Sequence, residues 1–252
     1  ILVLETEELP VSKERPFMAG VDLGTDNIAA IVTTDHASCV YKGGVVLSGN
    51  RLFHKERAEA VSILTKGRGK QNAHSRHLDV LSRKHDCFTR DVMHKISADI
   101  VRFCEEHRAG TIVIGTNPLW KQKVNMGRAN NQKFMSVPHT ILRRMITYKA
   151  EAAGITVVLQ EESYTSKADV TVKDRMPVYG KAEGKPAFSG RREGRGLYRC
   201  QGGLVINADC NGAANILRKA IPDAWKDTND FRFLAYPESV TFRRLNRHRA
   251  AV

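Results

Sequence analysis

Apolar and polar positions alternate in two periods along this chain. Phe17 to Leu23 is an apolar run closing on Asp22 and Gly24, which predicts a buried strand that leads into a turn. Ile28 to Thr34 and Val40 to Leu47 are further β-rich runs. Asp35-His36 separates them and Gly49-Asn50 ends the second, so three early strands read as a meander of hairpins. The period then becomes helical. From Arg90 to Glu106, Val92, Ile96, Ile100, Phe103 and Cys104 fall on one face, with Gly110 placed as the cap. Thr111 to Gly115 is a short apolar strand. Ser136 to Ala153 predicts a helix with Ser136 as N-cap, Pro138 in its first turn and Gly154 past its end; Ile141, Leu142, Met145 and Ile146 form its inner face. Ile155 to Leu159 returns to strand. Ala208 to Ala220 predicts a last helix that buries Ala213, Ala214, Ile216 and Leu217.

The resulting order is β-β-β-α-β-α-β-(insert)-α. Hairpins first and alternating units after them predict an α/β fold, a ribonuclease H-like mixed sheet with helices on both faces. Gly180 to Gly203, with seven glycines and many arginines, is an irregular Arg/Gly-rich insert before the last helix. The boundaries expected are a lead-in over 1–15, one domain over 16–221 with its insert at about 163–203, and a basic tail over 222–252. A chain of 252 residues is long enough for one such core.

Composition narrows the partners. No apolar run approaches the length of a membrane span, and Ile1 to Leu4 leads into Glu5, Glu7 and Glu8, which is not the pattern of a signal peptide. Five scattered cysteines, an odd number with no C-x-x-C pair, fit reduced thiols in a cytoplasmic protein. The net charge is +13, from 40 Lys+Arg against 27 Asp+Glu. It is concentrated. From Trp120 to Ala150 there is no acid, while Lys121, Lys123, Arg128, Lys133, Arg143, Arg144 and Lys149 all fall there. Lys66 to Arg90 is a second basic stretch, and Arg191, Arg192, Arg195 and Arg199 make a third, broken only by Glu193. Three such runs point to a groove for nucleic acid. Trp120 and Tyr198 are candidates to stack on bases.

Two carboxylates carry the candidate chemistry. Asp22 lies between Gly20 and Gly24 at the end of an apolar strand, where a carboxylate is costly to bury unless it is paired or binds a cation. Asp209 starts the last predicted helix, where an Asp is also an ordinary cap. In a ribonuclease H-like sheet the first strand is central and the last helix crosses beside its carboxyl end, so the fold unites them. Hydrolysis of a phosphodiester uses hard divalent cations held by oxygen ligands, and a third carboxylate from a neighbouring strand is expected.

Gly20-Val-Asp-Leu-Gly24, Leu81-Ser-Arg-Lys84, His94-Lys-Ile-Ser97, Tyr148-Lys-Ala-Glu151, Tyr164-Thr-Ser166 and Asn207-Ala-Asp-Cys-Asn-Gly-Ala-Ala-Asn215 occur in that order. In these segments the chain resembles the RuvC-like nuclease domain of TnpB (OrfB) proteins of insertion sequences, relatives of the type V CRISPR effectors. The resemblance implies a cytoplasmic, bacterial or archaeal, RNA-guided DNA endonuclease that depends on Mg²⁺, with Mn²⁺ as a substitute and with DNA and guide RNA as partners. Asp22 matches the first Asp of the family's Asp-Glu-Asp site and Asp209 the last. Gly115 stands where the family's Glu is usual. Glu161 and Glu162 end the next strand, about 4.8 Å away, and one of them is the candidate third ligand, Glu162 slightly preferred. The family's four-cysteine zinc finger is not expected here: the interval holds only Cys200, Asp169 stands near the place of its first cysteine, and tetrahedral zinc needs four N or S ligands. A nuclease-dead relative that binds RNA and DNA as a repressor is the competing reading, and an actin-like ATPase fold a remote one.

Overall fold

The computed structural model describes residues 14–66, 74–117, 137–178 and 186–247. Its main sheet has six strands: β1 (Phe17–Leu23), β2 (Asn27–Thr33), β3 (Ser38–Lys42), β4 (Ala109–Thr116), β5 (Thr156–Glu161) and β9 (Glu238–Val240). They lie in the order β5-β4-β1-β2-β3-β9. β2 runs antiparallel to β1 and β3, while β4 and β5 run parallel to β1. The short loop at Gly24 permits the first hairpin, and a long helical crossover is needed for each parallel step. β1 therefore sits inside the sheet, with the carboxyl ends of β1, β4 and β5 at one edge.

Both faces are covered. α2 (Arg76–Glu106) and α3 (His139–Ala152) bury Met93, Ile96, Ile100, Leu142 and Ile146 against one face. α4 (Ala208–Ala220) covers the other, with Trp225, Phe231 and Leu234 beside it. Ser75 caps α2 by accepting from the Leu78 amide at 3.3 Å, and Asn207 caps α4 by accepting from Asp209 and Cys210 at 3.0 and 3.1 Å. α1 (Gly44–Leu64) starts at the same sheet edge as the carboxyl end of β1 and packs along α2.

Several sequence expectations change. The expected strand Val40–Leu47 stops at Lys42, and Val45 to Asn50 belongs to α1. Packing decides this. Gly49 lies against the Phe88 ring, and Asn50 Oδ1 accepts from His85 Nε2 at 2.7 Å. α2 begins at Arg76, well before Arg90, because its first turns pack on α1 without following the sheet's apolar period. Gly110 lies inside β4 under the Arg15 carbonyl and caps nothing; His107 ends α2. Ile141 is 44% exposed, so the inner face of α3 is Leu142, Met145 and Ile146. The expected N-cap Ser136 lies outside the described residues.

The insert is more ordered than its composition suggests. β6 (Arg191–Gly194) and β7 (Leu197–Arg199) form a hairpin that joins β8 (Val205–Asn207) in a second, three-stranded sheet. Gly196 turns that hairpin at φ +80°. Tyr198 is buried and donates its hydroxyl to the Lys167 carbonyl at 2.8 Å, which removes it as a stacking residue. Residues expected as a basic tail supply Trp225, Phe231 and Leu234 to the core and β9 to the sheet; a short α5 (Phe242–Arg247) follows.

Candidate active site

One face of α4 crosses the amino end of β2 and then the carboxyl ends of β1, β4 and β5. Asn27 at the start of β2 donates from Nδ2 to Asp209 Oδ2 at 2.6 Å. Next along the helix, Gly212 sits against Asp22 of β1, so closely that a Cβ there would overlap Asp22 Oδ2. Ile216 comes next, beside Gly115 of β4. Lys219 finally reaches β5, donating to Glu161 Oε2 at 2.6 Å and to the Ser163 carbonyl at 2.9 Å. Residues 209, 212, 216 and 219 share a helix face. The ten helical steps from Asp209 to Lys219 rise about 15 Å, which matches three strand spacings of about 4.8 Å. Gly20 completes the close fit: a Cβ there would overlap the Ala213 carbonyl oxygen and lie 2.8 Å from Leu217 Cβ.

This crossing brings Asp22, Glu162 and Asp209 into one electrostatic group. Burial pushes the Asp22 carboxyl up to about 8, with Glu162 and then Asp209 adding to the shift and Arg192 opposing it. No hydrogen bond from the described residues reaches that carboxylate. Burial likewise pushes Glu162 up to about 7, reinforced by Glu161 and opposed by Arg143 and Lys219. The Glu162 carboxylate fills the space that Gly115 leaves empty: Oε2 lies 2.7 Å from where a Gly115 Cβ would stand. Glu161 is in a different state. Burial acts upward on it too, but hydrogen bonds from Lys219 and Ser163 together with the Lys219 charge outweigh that and hold it below the usual range. Its Oε1 accepts from the Ser163 amide at 2.6 Å.

Among the described residues, no group of three or more His, Cys, Asp and Glu side chains is close enough to hold a metal ion. The chemistry of the donor set nevertheless fits a hard cation. Asp22 and Glu162 are oxygen donors coupled to each other at an unfavourable cost that a divalent ion would relieve, and Asp209, coupled to Asp22, is the candidate third oxygen donor.

The expected nucleic-acid contacts separate into three groups. Lys121, Lys123, Arg128 and Lys133, with Trp120, lie outside the described residues. Arg143 on α3 donates to Thr116 Oγ1 at 2.8 Å beside Glu162, and Arg144 is exposed on the same helix. Arg191, Arg192, Arg195 and Arg199 all lie on the β6–β7 hairpin, which leans over the site. Arg192 is 3.7 Å from Asp209 Oδ1, Arg195 pairs with Asp26 at 2.5 Å, and Arg199 pairs with Glu193.

Three site residues, Asn27, Gly212 and Lys219, escaped the sequence reading, which noted Gly115 only as a missing Glu. Asn27 orients Asp209 and in turn accepts from Lys42 Nζ at 3.1 Å through Oδ1. Gly212 and Gly115 make room for carboxylates, and Lys219 ties down Glu161. The spacing of Gly212 and Lys219 from Asp209 was the available signal, once the helix was known to cross the strands. Asn27 had none, because its role depends on a partner 182 positions away.

A family model described as a probable transposase, OrfB_IS605, matches residues 1–120, and the model of the Cas12f1-like TNB domain matches residues 139–216. The chain is 28% identical over 216 residues to the TnpB-like protein ORF457 of Acidianus two-tailed virus, covering 81% of this chain and 42% of that protein. It is 28% identical over 215 residues to the CRISPR-associated endodeoxyribonuclease Cas12f1 of Sulfoacidibacillus thermotolerans, covering 81% of this chain and 45% of that one. It thus spans less than half the length of these curated relatives. A solved Cas12f1 complex with sgRNA and target DNA superposes with a TM-score of 0.59 at 15% identity, over 81% of this chain and 50% of that one. A CRISPR-Cas12f ternary complex does so at 0.57 and 16%, over 84% and 40%. At these identities the two superpositions show a shared fold. No described helix is long and apolar enough to cross a membrane.

Proposed function

We propose that the chain is a member of the TnpB (OrfB) family, on the two family models it matches, and that residues 16–221 are a RuvC-like domain of ribonuclease H-like fold that hydrolyses DNA phosphodiester bonds. The observation that carries this reading is the crossing of α4, which sets Asp209 on Asn27 and Gly212 on Asp22 while Glu162 lies over Gly115 beside Ile216, at one edge of the sheet. Carboxylates forced together in this way favour a divalent cation as their common partner. The residue Gly115, which at first sight argues for an inactive protein, supports the opposite once its space is seen to hold the Glu162 carboxylate.

Asp22, Glu162 and Asp209 would hold Mg²⁺ or Mn²⁺, which when bound supplies Lewis acidity to activate water and steady the departing oxygen. Asn27, itself held by Lys42, fixes the Asp209 carboxylate. Arg192 sets a guanidinium at the rim of the site, where it meets the non-bridging oxygens of an incoming phosphate. Arg143, anchored on Thr116, offers a second positive charge on the α3 side. Water attacks phosphorus, the P–O bond to the departing strand breaks, and that oxygen takes up a proton.

DNA is the proposed substrate and guide RNA the proposed partner. Both are named for the solved Cas12f1 relative, and both suit the basic runs of this chain. The test is Mn²⁺ binding followed by electron paramagnetic resonance, alongside cleavage of labelled single-stranded DNA. Wild-type protein is expected to bind Mn²⁺ and Asp22→Asn to lose it together with cleavage. Equal Mn²⁺ binding by the two would sink the nuclease reading. DNA binding without any Mn²⁺ binding would establish the competing one, a repressor that does not cut.

A further inference from the structure

Glu161 and Glu162 are adjacent, chemically the same, and both within reach of the site, yet the structure treats them as opposites. We infer that Lys219 is a positioning residue that decides between them: by capturing Glu161 it leaves Glu162 as the carboxylate presented to the cation. This deepens the reading above and rests on it.

The argument starts at the strand end. β5 closes with Glu161 in register with Thr116, and the Glu162 amide donates to the Thr116 carbonyl at 3.3 Å, so the backbone of both glutamates is fixed to β4. From that anchored backbone either side chain has the length to turn toward the site. Both Glu161 oxygens are already engaged, Oε2 by Lys219 Nζ and Oε1 by the Ser163 amide, each at 2.6 Å. Lys219 also holds the Ser163 carbonyl at 2.9 Å, so it clamps the turn that follows the strand as well as the side chain before it. The Lys219 side chain is only 9% exposed. Glu161 is 29% exposed, so the pair is shielded chiefly on the lysine side, and it is the second bond from Ser163 that adds to its hold on Glu161.

Among the described residues, Glu162 has no such captor. Its carboxylate lies over Gly115 beside Ile216 Cδ1, on the α4 side of the sheet where Asp22 also faces the helix. The same helix supplies Asp209 at its first turn and Lys219 at its last. One rigid element therefore carries a proposed ligand and the residue that selects another. Any Glu that leaves the Lys219 clamp meets a site already short of positive charge. Removing the clamp should let Glu161 compete for it.

The test is a rescue. Mn²⁺ dissociation constants are measured by electron paramagnetic resonance for wild type, Glu162→Gln, Lys219→Met, and the double variant Lys219→Met with Glu162→Gln. Circular dichroism checks that each is folded, and Lys219→Gln replaces Lys219→Met should the latter not fold. Glu162→Gln is expected to weaken Mn²⁺ binding at least about 10-fold, since losing even an outer partner of a metal ligand costs about 10–100-fold. The double variant is expected to recover most of that loss, because the freed Glu161 takes the vacant role. Lys219→Arg with Glu162→Gln, which keeps Glu161 captured, should stay weak. A purely structural lysine predicts the reverse order, with the double variant worse than Glu162→Gln. That result overturns the inference while leaving the cation site standing, as does an unchanged affinity in Glu162→Gln. Failure of wild type itself to bind Mn²⁺ removes the nuclease reading and this inference with it.

Discussion

At the scale of single residues, the site is built by what is missing as much as by what is present. Gly212 has no Cβ because Asp22 Oδ2 occupies that space. Gly212→Ala must therefore push either α4 or the Asp22 side chain, and overpacking of this kind costs about 1–3 kcal/mol. The expected result is a lower urea midpoint with an unchanged m-value and weakened Mn²⁺ binding, read by denaturation and by resonance titration. Asp22→Asn should act in the other direction on stability. It removes a carboxylate that burial, Glu162 and Asp209 all disfavour, so its thermal midpoint in EDTA should exceed that of wild type. Millimolar Mn²⁺ should then reverse the ranking. A ligand at a hundred times its Kd stabilises by about 2.7 kcal/mol, and only wild type can receive that gain. A wild-type midpoint indifferent to Mn²⁺ would count against both halves of the argument.

At the scale of elements, the residues that carry the family resemblance turn out to be contact partners of one another. Lys149 of Tyr148-Lys-Ala-Glu151 donates to the His94 carbonyl and to Ser97 Oγ, both at 2.7 Å, which joins α3 to α2 through His94-Lys-Ile-Ser97. Asn215 of α4 is fully buried and donates to the Thr165 and Ala168 carbonyls at 3.0 and 2.7 Å, which joins it to Tyr164-Thr-Ser166. Asn211, one turn earlier, also donates to Ala168 and accepts from the Val170 amide. Asn215→Leu takes the donor from the Thr165 carbonyl and leaves the Ala168 carbonyl to Asn211 alone, and should destabilise by about 1–3 kcal/mol in urea titrations. Because this stripe holds the loop that follows Glu162, Mn²⁺ affinity should fall as well. The sequence displayed β1, β2, β4 and α4 clearly, since each buries a face whose period is local. It hid α1, because Val45-Val46-Leu47 reads as strand until Phe88 and His85 are seen packed against Gly49 and Asn50. Asp22 and Asp209 were legible as polar residues in apolar settings. Lys219 and Asn27 were not, because an exposed-looking Lys or Asn gains its meaning only from a strand brought near by the fold.

At the scale of the whole molecule, the excess of positive charge must be weighed against where it is already spent. Of the four arginines on the hairpin over the site, Arg195 is paired with Asp26 at 2.5 Å and Arg199 with Glu193. Arg191 stands 3.8 Å from Glu193 and Arg192 3.7 Å from Asp209, looser contacts that leave their guanidinium groups more available. A phosphate reaching Arg195 or Arg199 must first break an internal ion pair, and the freed carboxylate repels it. The four cations are thus unequal, although the sequence presents them as one run. Binding of single-stranded nucleic acid releases counterions, and log K falls with log salt with a slope of about −0.7 for each phosphate neutralised. Fluorescence anisotropy across a salt series, with Arg191 and Arg192 both changed to Ala, should therefore flatten the slope by about 1.4. The same change at Arg195 and Arg199 should flatten it by less than half as much, because each removed cation was already neutralised within the protein. Equal changes for the two pairs would mean that the hairpin's internal ion pairs open freely on binding. The charge would then act as a single undivided patch, and the position of Arg192 beside Asp209 would have no special part in docking the strand.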